Sequence, residues 1–153
     1  MKIFICAVVV ILSLFIAKLK NDEYKEDLDT YRELTVLSDM VSRNFKTEIK
    51  SLSVLCSEYY TEISGECISF FDIEEAIFFI KNRCKTHGNV HEFCEILKSC
   101  TTAPPDELDG LCKKLSDIAY ESYRNMESKY KRESGTSYIV YPGIAAILIS
   151  ILL

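Results

Sequence analysis

The sequence predicts an all-α fold, a small disulfide-linked helical bundle with an apolar segment at each end of the chain. Apolar residues in the middle of the chain recur every three or four positions, which is the spacing of one helix face. Most of the cysteines lie in the same region, and the two ends carry almost no charge. The length of 153 residues leaves room for one domain between them.

The N-terminal segment, residues 1–17, is typical of a secretory signal peptide. One basic residue, Lys2, is followed by a mostly apolar stretch that ends at Ala17. The stretch is shorter than the roughly twenty apolar residues that cross a bilayer. Ala17 is small enough to precede a cleavage site, but Phe15 fits such a site poorly. An uncleaved signal-anchor and a buried element of a cytosolic protein are therefore the alternatives.

The C-terminal segment, residues 135–153, has the layout of a glycosylphosphatidylinositol (GPI) attachment signal. Small residues follow the last charged residue, Glu133, and the chain finishes in an apolar tail. The lipid would be attached to Ser134 or Gly135. The spacer before the tail is shorter and less polar than is usual. A membrane anchor and a tail packed into the core remain as alternatives.

The middle region, residues 18–134, is predicted to be the cysteine-rich extracellular domain. It contains all 23 acidic residues, and the basic residues are interspersed with them. A surface on which positive and negative charges are interspersed is ordinary for a soluble domain. It lacks the basic stripe that nucleic acid requires, so the sequence predicts no nucleic-acid partner.

Six of the seven cysteines remain once Cys6 is removed with the signal segment. An even number of cysteines in a small domain behind a secretory signal is typical of disulfide bonds. Each bond adds about 2–4 kcal/mol of stability by restricting the unfolded chain. Six cysteines allow fifteen pairings, so the connectivity stays open. The candidates are Cys56, Cys67, Cys84, Cys94, Cys100 and Cys112.

The first part of the middle region is predicted to form one helix from about Asp29 to Tyr60. Its apolar residues follow each other in steps of three and four, and Gly65 suits the break after it. The predicted stripe consists of Leu34, Leu37, Val41, Phe45, Ile49, Leu52, Leu55 and Tyr59.

Three shorter patterns predict the remaining helices. Asp72 and Glu75 form a capping pattern before an apolar run to Ile80, which we expect to be the most buried helix, with a strand as the alternative. A short helix over 90–100 and a long one after Pro105 follow. The residues expected to face inward are Phe93, Ile96, Leu97, Leu108, Leu111, Leu115, Ile118 and Tyr120.

One cluster has the chemistry of a metal site. Two thiolates and two imidazoles within eleven residues can close a tetrahedral zinc site, and the chain's only two histidines lie here. An oxidising compartment favours disulfides over thiolates, which makes metal binding a minor alternative. The four residues are Cys84, His87, His91 and Cys94.

No local pattern places a nucleophile beside a base and an orienting group. The sequence therefore predicts no catalytic residues, no enzymatic activity and no cofactor. Its tyrosines are either an exposed contact patch or core residues with their hydroxyl outward. These are Tyr59, Tyr60, Tyr120, Tyr123 and Tyr130.

The order of the cysteines between Cys56 and Tyr130 carries a resemblance. Cys56-x10-Cys67, then Cys94-x5-Cys100 and Leu111-Cys112, precede Tyr123-x2-Met126-x2-Lys129-Tyr130. This order resembles the nematode secreted cysteine-rich family known as domain of unknown function nineteen, with Met126 where that family has a cysteine. The resemblance implies a secreted helical domain of unassigned activity. A lipid-anchored surface antigen of a eukaryotic parasite is the runner-up.

These patterns together predict a protein that is extracellular or on the outer face of the plasma membrane. Its expected function is a non-enzymatic interaction module whose partner is another extracellular protein. One alternative is a small membrane-tethered protein with uncleaved apolar ends, and another is a metal-binding or enzymatic protein that uses the Cys84–Cys94 region.

Overall fold

The computed structural model describes residues 2–47, 51–84 and 89–152, and it contains only helices and their connections within these ranges. The helices are α1 (Lys2–Thr47), α2 (Leu52–Ser64), α3 (Ile73–Arg83), α4 (Val90–Ser99) and α5 (Pro105–Leu152). The predicted all-α class is confirmed.

The chain divides into two compact units. The terminal unit comprises Met1–Leu28 and Asn125–Leu153, and the central unit comprises Asp29–Arg124. Helices α1 and α5 therefore contribute to both units, whereas α2, α3 and α4 belong to the central unit alone.

The core of the central unit receives large apolar side chains from all five helices. Burying one such side chain contributes about 1.5–3 kcal/mol, so these residues provide most of the stabilising free energy. Phe93 on α4 is only 1% exposed. The other large side chains that are almost completely buried are Leu34, Leu37, Leu55, Ile80, Leu97 and Leu115.

The helix ends follow their local chemistry. Gly65 ends α2 in the left-handed conformation with φ 69°, which glycine adopts without steric cost. The Asp72 carboxylate accepts a hydrogen bond of 2.9 Å from the Glu75 backbone N–H and so caps α3. Pro105 is the first residue of α5, where its missing N–H costs nothing. All three boundaries confirm the sequence predictions.

Polar contacts join α1 to its neighbours in the central unit. The Tyr59 hydroxyl donates to the backbone carbonyl of Glu33 at 2.8 Å. The Arg83 guanidinium makes two hydrogen bonds of 2.8 Å to the Glu33 carboxylate. On the α5 side, the Tyr120 hydroxyl donates to Asp39 at 2.9 Å. Glu33 therefore connects α1 to both α2 and the end of α3.

Two predictions about the helices were wrong. The single helix expected from Asp29 to Tyr60 is two helices, because α1 ends at Thr47 and Ser51 is extended before α2. Ile49, expected on the shared stripe, lies outside the described residues. Helix α3 is not buried on every side, since Phe78 is 68% exposed.

The tyrosines do not form one exposed patch. Tyr59 and Tyr60 are buried, and the Tyr60 ring packs edge-on against Phe79 with centroids 4.8 Å apart. Tyr120 is exposed, and Tyr123 and Tyr130 are partly buried. The core interpretation therefore holds for the Tyr59–Tyr60 pair, because the α2 face that carries both rings packs inward.

No disulfide bond joins any two of the seven cysteines, all of which lie in the described part of the chain. The bundle is therefore held by apolar packing and hydrogen bonds in this structure. The predicted cross-links do not belong to the observed architecture.

Candidate functional site

The terminal unit exposes its large apolar side chains. Phe15 on α1 is 57% exposed, and Ile139 on α5 is 75% exposed. Other exposed large apolar side chains of this unit are Phe4, Ile11, Leu12, Leu19, Ile144, Ile147 and Ile151. A soluble domain rarely exposes so continuous an apolar surface, so this unit presents a face suited to an apolar environment.

The same unit buries small side chains. Ser13 and Ala17 are buried on α1, as are Ser137 and Ala145 on α5. Spacings of four and eight residues place each pair on one face of its helix. Small side chains let two helix backbones approach closely, as they do where helices pack inside bilayers.

The buried hydroxyls are satisfied within their own helices. Ser13 donates to the Val10 carbonyl at 2.8 Å, and Ser137 donates to the Glu133 carbonyl at 2.9 Å. Neither hydroxyl therefore needs water, which is the condition for placing it away from solvent.

Charged residues appear where the apolar stretches end. The Lys129 ammonium lies 5.4 Å from the centre of the Tyr24 ring, which places α5 beside α1 within the terminal unit. Lys20 and Glu23 form an exposed ion pair of 2.7 Å on α1. The apolar surface is therefore bordered by a polar layer.

Two helices are long and apolar enough to cross a membrane, one near each end of the described chain. Only 11% of each apolar window is buried, whereas the core helix of a soluble protein is mostly buried. A signal sequence near the N-terminus has the same length and composition, so this observation alone does not distinguish a retained anchor from a signal.

The two residues predicted to accept a lipid lie within α5, immediately before its uncharged stretch. Ser134 is partly buried, and Gly135 is exposed with open space around its Cα. Helix α5 continues through both residues and through Pro142.

The predicted disulfide cysteines occupy different surroundings. Cys56 and Cys94 are completely buried and are neighbours in the core, where burial raises the pKa of Cys56 to about 12 and that of Cys94 to about 11. Burial, and to a smaller degree the Cys112 thiol, raises the pKa of Cys100 to about 12. Cys67 is exposed.

The predicted metal cluster is not assembled by the residues that the structure describes. Cys84 caps the end of α3, and Cys94 faces the core beside Cys56, whereas His91 is exposed. His87 lies outside the described residues. In the part of the chain that is described, no three His, Cys, Asp or Glu residues are placed to hold a metal ion.

An open groove of about 860 Å³ runs between α1 and α2 in the central unit. Charged residues of both signs line it, and Val36 and Ile63 present exposed apolar side chains beside it. Burial and the nearby Glu33 hold the pKa of the lining Tyr59 well above its usual value, so its hydroxyl stays protonated and donates to the Glu33 carbonyl. The described lining contains no serine, cysteine or histidine.

Sequence reasoning did not find this groove. Its walls belong to α1 and α2, which the periodicity merged into one helix, so a space between them was not expected.

Comparisons with protein-family models, curated proteins and solved structures find no match for this chain. The resemblance of residues 56–130 to a nematode secreted family stays a prediction. Function is therefore argued from the geometry of the two units.

Proposed function

We propose that this protein is tethered to a membrane by its two apolar ends and presents the central unit as a non-enzymatic interaction module on the extracytoplasmic side. The observation that carries the proposal is the inverted burial of the terminal unit. Large apolar side chains such as Ile139 face outward, while Ala17 and Ala145 are buried. Lipid makes outward apolar surface favourable, whereas water penalises it by about 25 cal/mol per Å².

The dimensions support two membrane-embedded helices. The part of α5 over residues 135–152, which carry no charged side chain, is about 27 Å long and approaches the roughly 30 Å of a hydrocarbon core. Residues 3–17 give a shorter helix of about 22 Å. Lys18 and Lys20 follow directly, and their long side chains reach the headgroups while their stems stay in the apolar layer.

The extracytoplasmic side is supported by the N-terminal pattern and by the cysteines. A basic residue followed by an apolar stretch directs the chain into the secretory pathway. In that compartment the central unit becomes a disulfide-linked bundle, because its six cysteines meet an oxidising environment.

A lipid anchor is the second candidate for the tether. Ser134 and Gly135 are small and stand just before the uncharged stretch, which is where an attachment residue is expected. If the tether is a lipid, residues 1–17 are removed as a signal peptide. The C-terminal tail is also removed, and a glycolipid is attached in its place.

The module itself offers the groove between α1 and α2 as its contact surface. Val36 and Ile63 provide apolar area, and Arg32 and Arg43 provide charge beside it. Charges of both signs beside exposed apolar side chains suit contact with the surface of another protein. The partner that fits the proposal is another extracellular protein.

Intact mass of the protein from its own cells tests the tether. Extraction with alkaline carbonate separates embedded proteins from peripheral ones. A full-length mass of 17.5 kDa in the pellet supports two retained helices. Loss of both ends together with an added glycolipid supports the lipid anchor. A protein that lacks both ends and any lipid, and stays in the supernatant, overturns the tether.

Arginine substitutions give a sharper test with a matched control. Ile139→Arg and Ile147→Arg place a charge on the outward face, at a cost of about 2.5–3.5 kcal/mol each near a bilayer centre. We expect a smaller fraction of the double variant than of the unchanged protein in the carbonate pellet, because only the N-terminal helix still anchors it. Val54→Arg, at an exposed position of the central unit, should leave the distribution unchanged.

A further inference from the structure

Two phenylalanine rings of the central unit are turned toward solvent. Phe71 is 93% exposed and Phe78 is 68% exposed, which are the two largest exposed fractions among the described large apolar side chains of this unit. Phe78 is the middle residue of α3, and Phe71 lies just before that helix. Neither ring lines the groove between α1 and α2. The two rings therefore belong to a second surface of the central unit.

The segment that carries Phe71 is fixed by its own hydrogen bonds. The Phe71 N–H donates to the Glu75 carboxylate at 2.7 Å, and the Phe70 N–H donates to the Ser57 hydroxyl at 2.8 Å. The Phe70 ring packs inward, with its centre 5.4 Å from that of Phe79. Because Phe70 takes the inner position, Phe71 is held outside. Its ring is therefore already placed for a contact.

The outward side of α3 carries opposite charges on either side of Phe78. Glu74 precedes Phe78 by four residues and Lys81 follows it by three, so they lie about 6 Å and about 4.5 Å from it along the helix axis, in opposite directions. Both lie on one side of the ring, and Glu75 and Asn82 have the corresponding positions on the other side. All four side chains are exposed. We call this surface the α3 face, and it consists of Phe71, Glu74, Glu75, Phe78, Lys81 and Asn82.

We propose that the α3 face is a contact between two copies of this chain, which pair antiparallel about a two-fold axis beside Phe78. The inference rests on the proposed membrane tether. Antiparallel pairing places Glu74 of one copy against Lys81 of the second, and the symmetry makes this contact twice. It also brings the Asn82 amide to the Glu75 carboxylate of the second copy. Parallel pairing would instead place Glu74 against Glu74, which repels.

The apolar part of the α3 face fits the same symmetry. The two Phe78 rings meet at the axis, because Phe78 is the middle residue of an eleven-residue helix. Phe71 extends the contact to the last turn of the second copy's α3. Each ring that is exposed in one copy is therefore covered by the other copy.

The ion pair that Glu74 already makes does not compete with this contact. Glu74 pairs with Lys98 of α4, and the two side chains are 58% and 52% exposed. A carboxylate has two oxygens and can accept from several donors. Glu74 can therefore accept from Lys81 of a second copy while it keeps Lys98.

The charges favour a second copy over a lipid surface as the occupant. Asp72, Glu74 and Glu75 lie close to Phe71 in the sequence, at the start of α3. Insertion of the Phe71 ring into a bilayer would bring these carboxylates to the apolar layer or to anionic headgroups, and both disfavour negative charge. A second copy instead supplies Lys81 where a positive charge is required.

The size of the contact explains why it depends on the tether. The four phenylalanine rings of one pair offer roughly 600 Å² for burial, whereas the smallest specific interfaces bury about 1,200 Å². Such a pair is weak between molecules that diffuse freely. Two copies held in one membrane meet at a high effective concentration, which makes a weak contact sufficient.

Photo-crosslinking of the full chain in phosphatidylcholine vesicles tests the pairing. Phe78 is replaced by p-benzoylphenylalanine, which bonds to neighbouring C–H groups on irradiation, and a reductant excludes disulfides between copies. We expect a product of twice the 17.5 kDa chain mass, in which residue 78 is joined to α3 of the second copy. Lipid adducts alone, or joining to α1 or α5 of a second copy, overturn the proposal. The same replacement at the exposed Val54 of α2 should give no dimer product.

Charge reversal tests the two-fold symmetry. Glu74→Lys and Lys81→Glu should each lower the association constant about tenfold, because two attractive pairs become repulsive. The crosslinked fraction over a series of protein-to-lipid ratios measures this constant. Both reversals in one chain should restore it, and a mixture of the two single variants should also crosslink, because opposite charges then meet again. Losses that add in the double variant overturn the pairing.

A matched control reverses an ion pair outside the α3 face. Glu92 and Lys114 lie 3.4 Å apart, and their side chains are as exposed as those of Glu74 and Lys98. Glu92→Lys and Lys114→Glu should leave the crosslinked fraction unchanged. An equal loss in these variants would overturn the assignment of the contact to the α3 face.

Carbonate extraction of the same vesicles separates this inference from the proposed tether. A chain that stays in the pellet but gives no product through residue 78 overturns the pairing and leaves the tether standing. A chain in the supernatant overturns the tether. Crosslinking is then measured on that soluble chain at about 1 mM, the order of concentration that a tether supplies. A product through residue 78 there supports the pairing, and its absence overturns the pairing as well.

Discussion

The carboxylate of Glu33 receives two hydrogen bonds of 2.8 Å from the Arg83 guanidinium, 50 residues further along the chain. The Glu33 side chain is only 18% exposed, so this contact is better shielded from water than a typical surface ion pair. A planar guanidinium that makes two hydrogen bonds to one carboxylate fixes the relative orientation of the two groups and also pairs their charges. The pair thereby sets the position of the C-terminal end of α3 against α1.

We expect Arg83→Lys to lower the free energy of unfolding by about 1 kcal/mol, because an ammonium cannot reproduce the two-point contact. Chemical denaturation of the full chain in detergent measures it. Lys81→Arg, on the same last turn of α3, should change stability by less than about 0.5 kcal/mol. Equal effects of the two variants would show that the Glu33 contact adds nothing specific.

Phe93 is predicted to be a principal core residue. Phe93→Ala should cost about 3–5 kcal/mol, because it removes a fully buried ring and leaves a cavity. Phe78→Ala removes the same ring from an exposed position of α3 and should cost less than about 0.5 kcal/mol. Thermal unfolding followed by circular dichroism compares the two variants, and similar costs would contradict the assigned core.

The reduced protein should lose stability at alkaline pH. Burial raises the pKa of Cys56 and of Cys100 to about 12, above the 9.0 of an unperturbed thiol. Between these values the unfolded chain binds fewer protons than the folded one, so the stabilising contribution is complete below about pH 9 and is lost as the pH rises. Denaturation at a series of pH values with a reductant measures the slope. Cys56→Ala should reduce it, and an unchanged slope would contradict the assignment.

The buried small residues of the terminal unit should tolerate no enlargement. Ala17→Phe inserts a ring where Ala17 is completely buried, so we expect a loss of about 1–3 kcal/mol in detergent micelles. Ile16→Phe places a ring at the neighbouring, outward-facing position and should be nearly neutral. Thermal unfolding monitored by tyrosine absorbance reports both. A larger loss for Ile16→Phe would reverse the assignment of the two faces.

Elements with a strong local signal were predictable from the sequence. Helix α4 has its expected inward residues Phe93, Ile96 and Leu97, because three apolar positions at helical spacing define one face. The Asp72 cap was also predictable, since the cap depends on a side chain and a backbone N–H three residues apart.

The break before α2 was not predictable, because the apolar spacing of three and four continues from Val41 through Leu52. The exposure of Phe78 was missed for a related reason. A run that is apolar on every side does not indicate which side meets the core, and only the packing of α2 and α4 against α3 decides it.

The candidate site was harder to predict from the sequence than the fold. Apolar ends were visible in the sequence, but which of their faces is buried depends on the contact between two distant segments.

The burial of small residues in the terminal unit has a consequence for evolution. In a soluble protein the large apolar positions are constrained, and the exposed ones drift. Here the expectation reverses, because Ile139 and Phe15 need only remain apolar, whereas Ser13, Ala17 and Ala145 have no room for a larger side chain. Among diverged copies of this chain, the bulky positions should interchange freely while the small ones stay fixed.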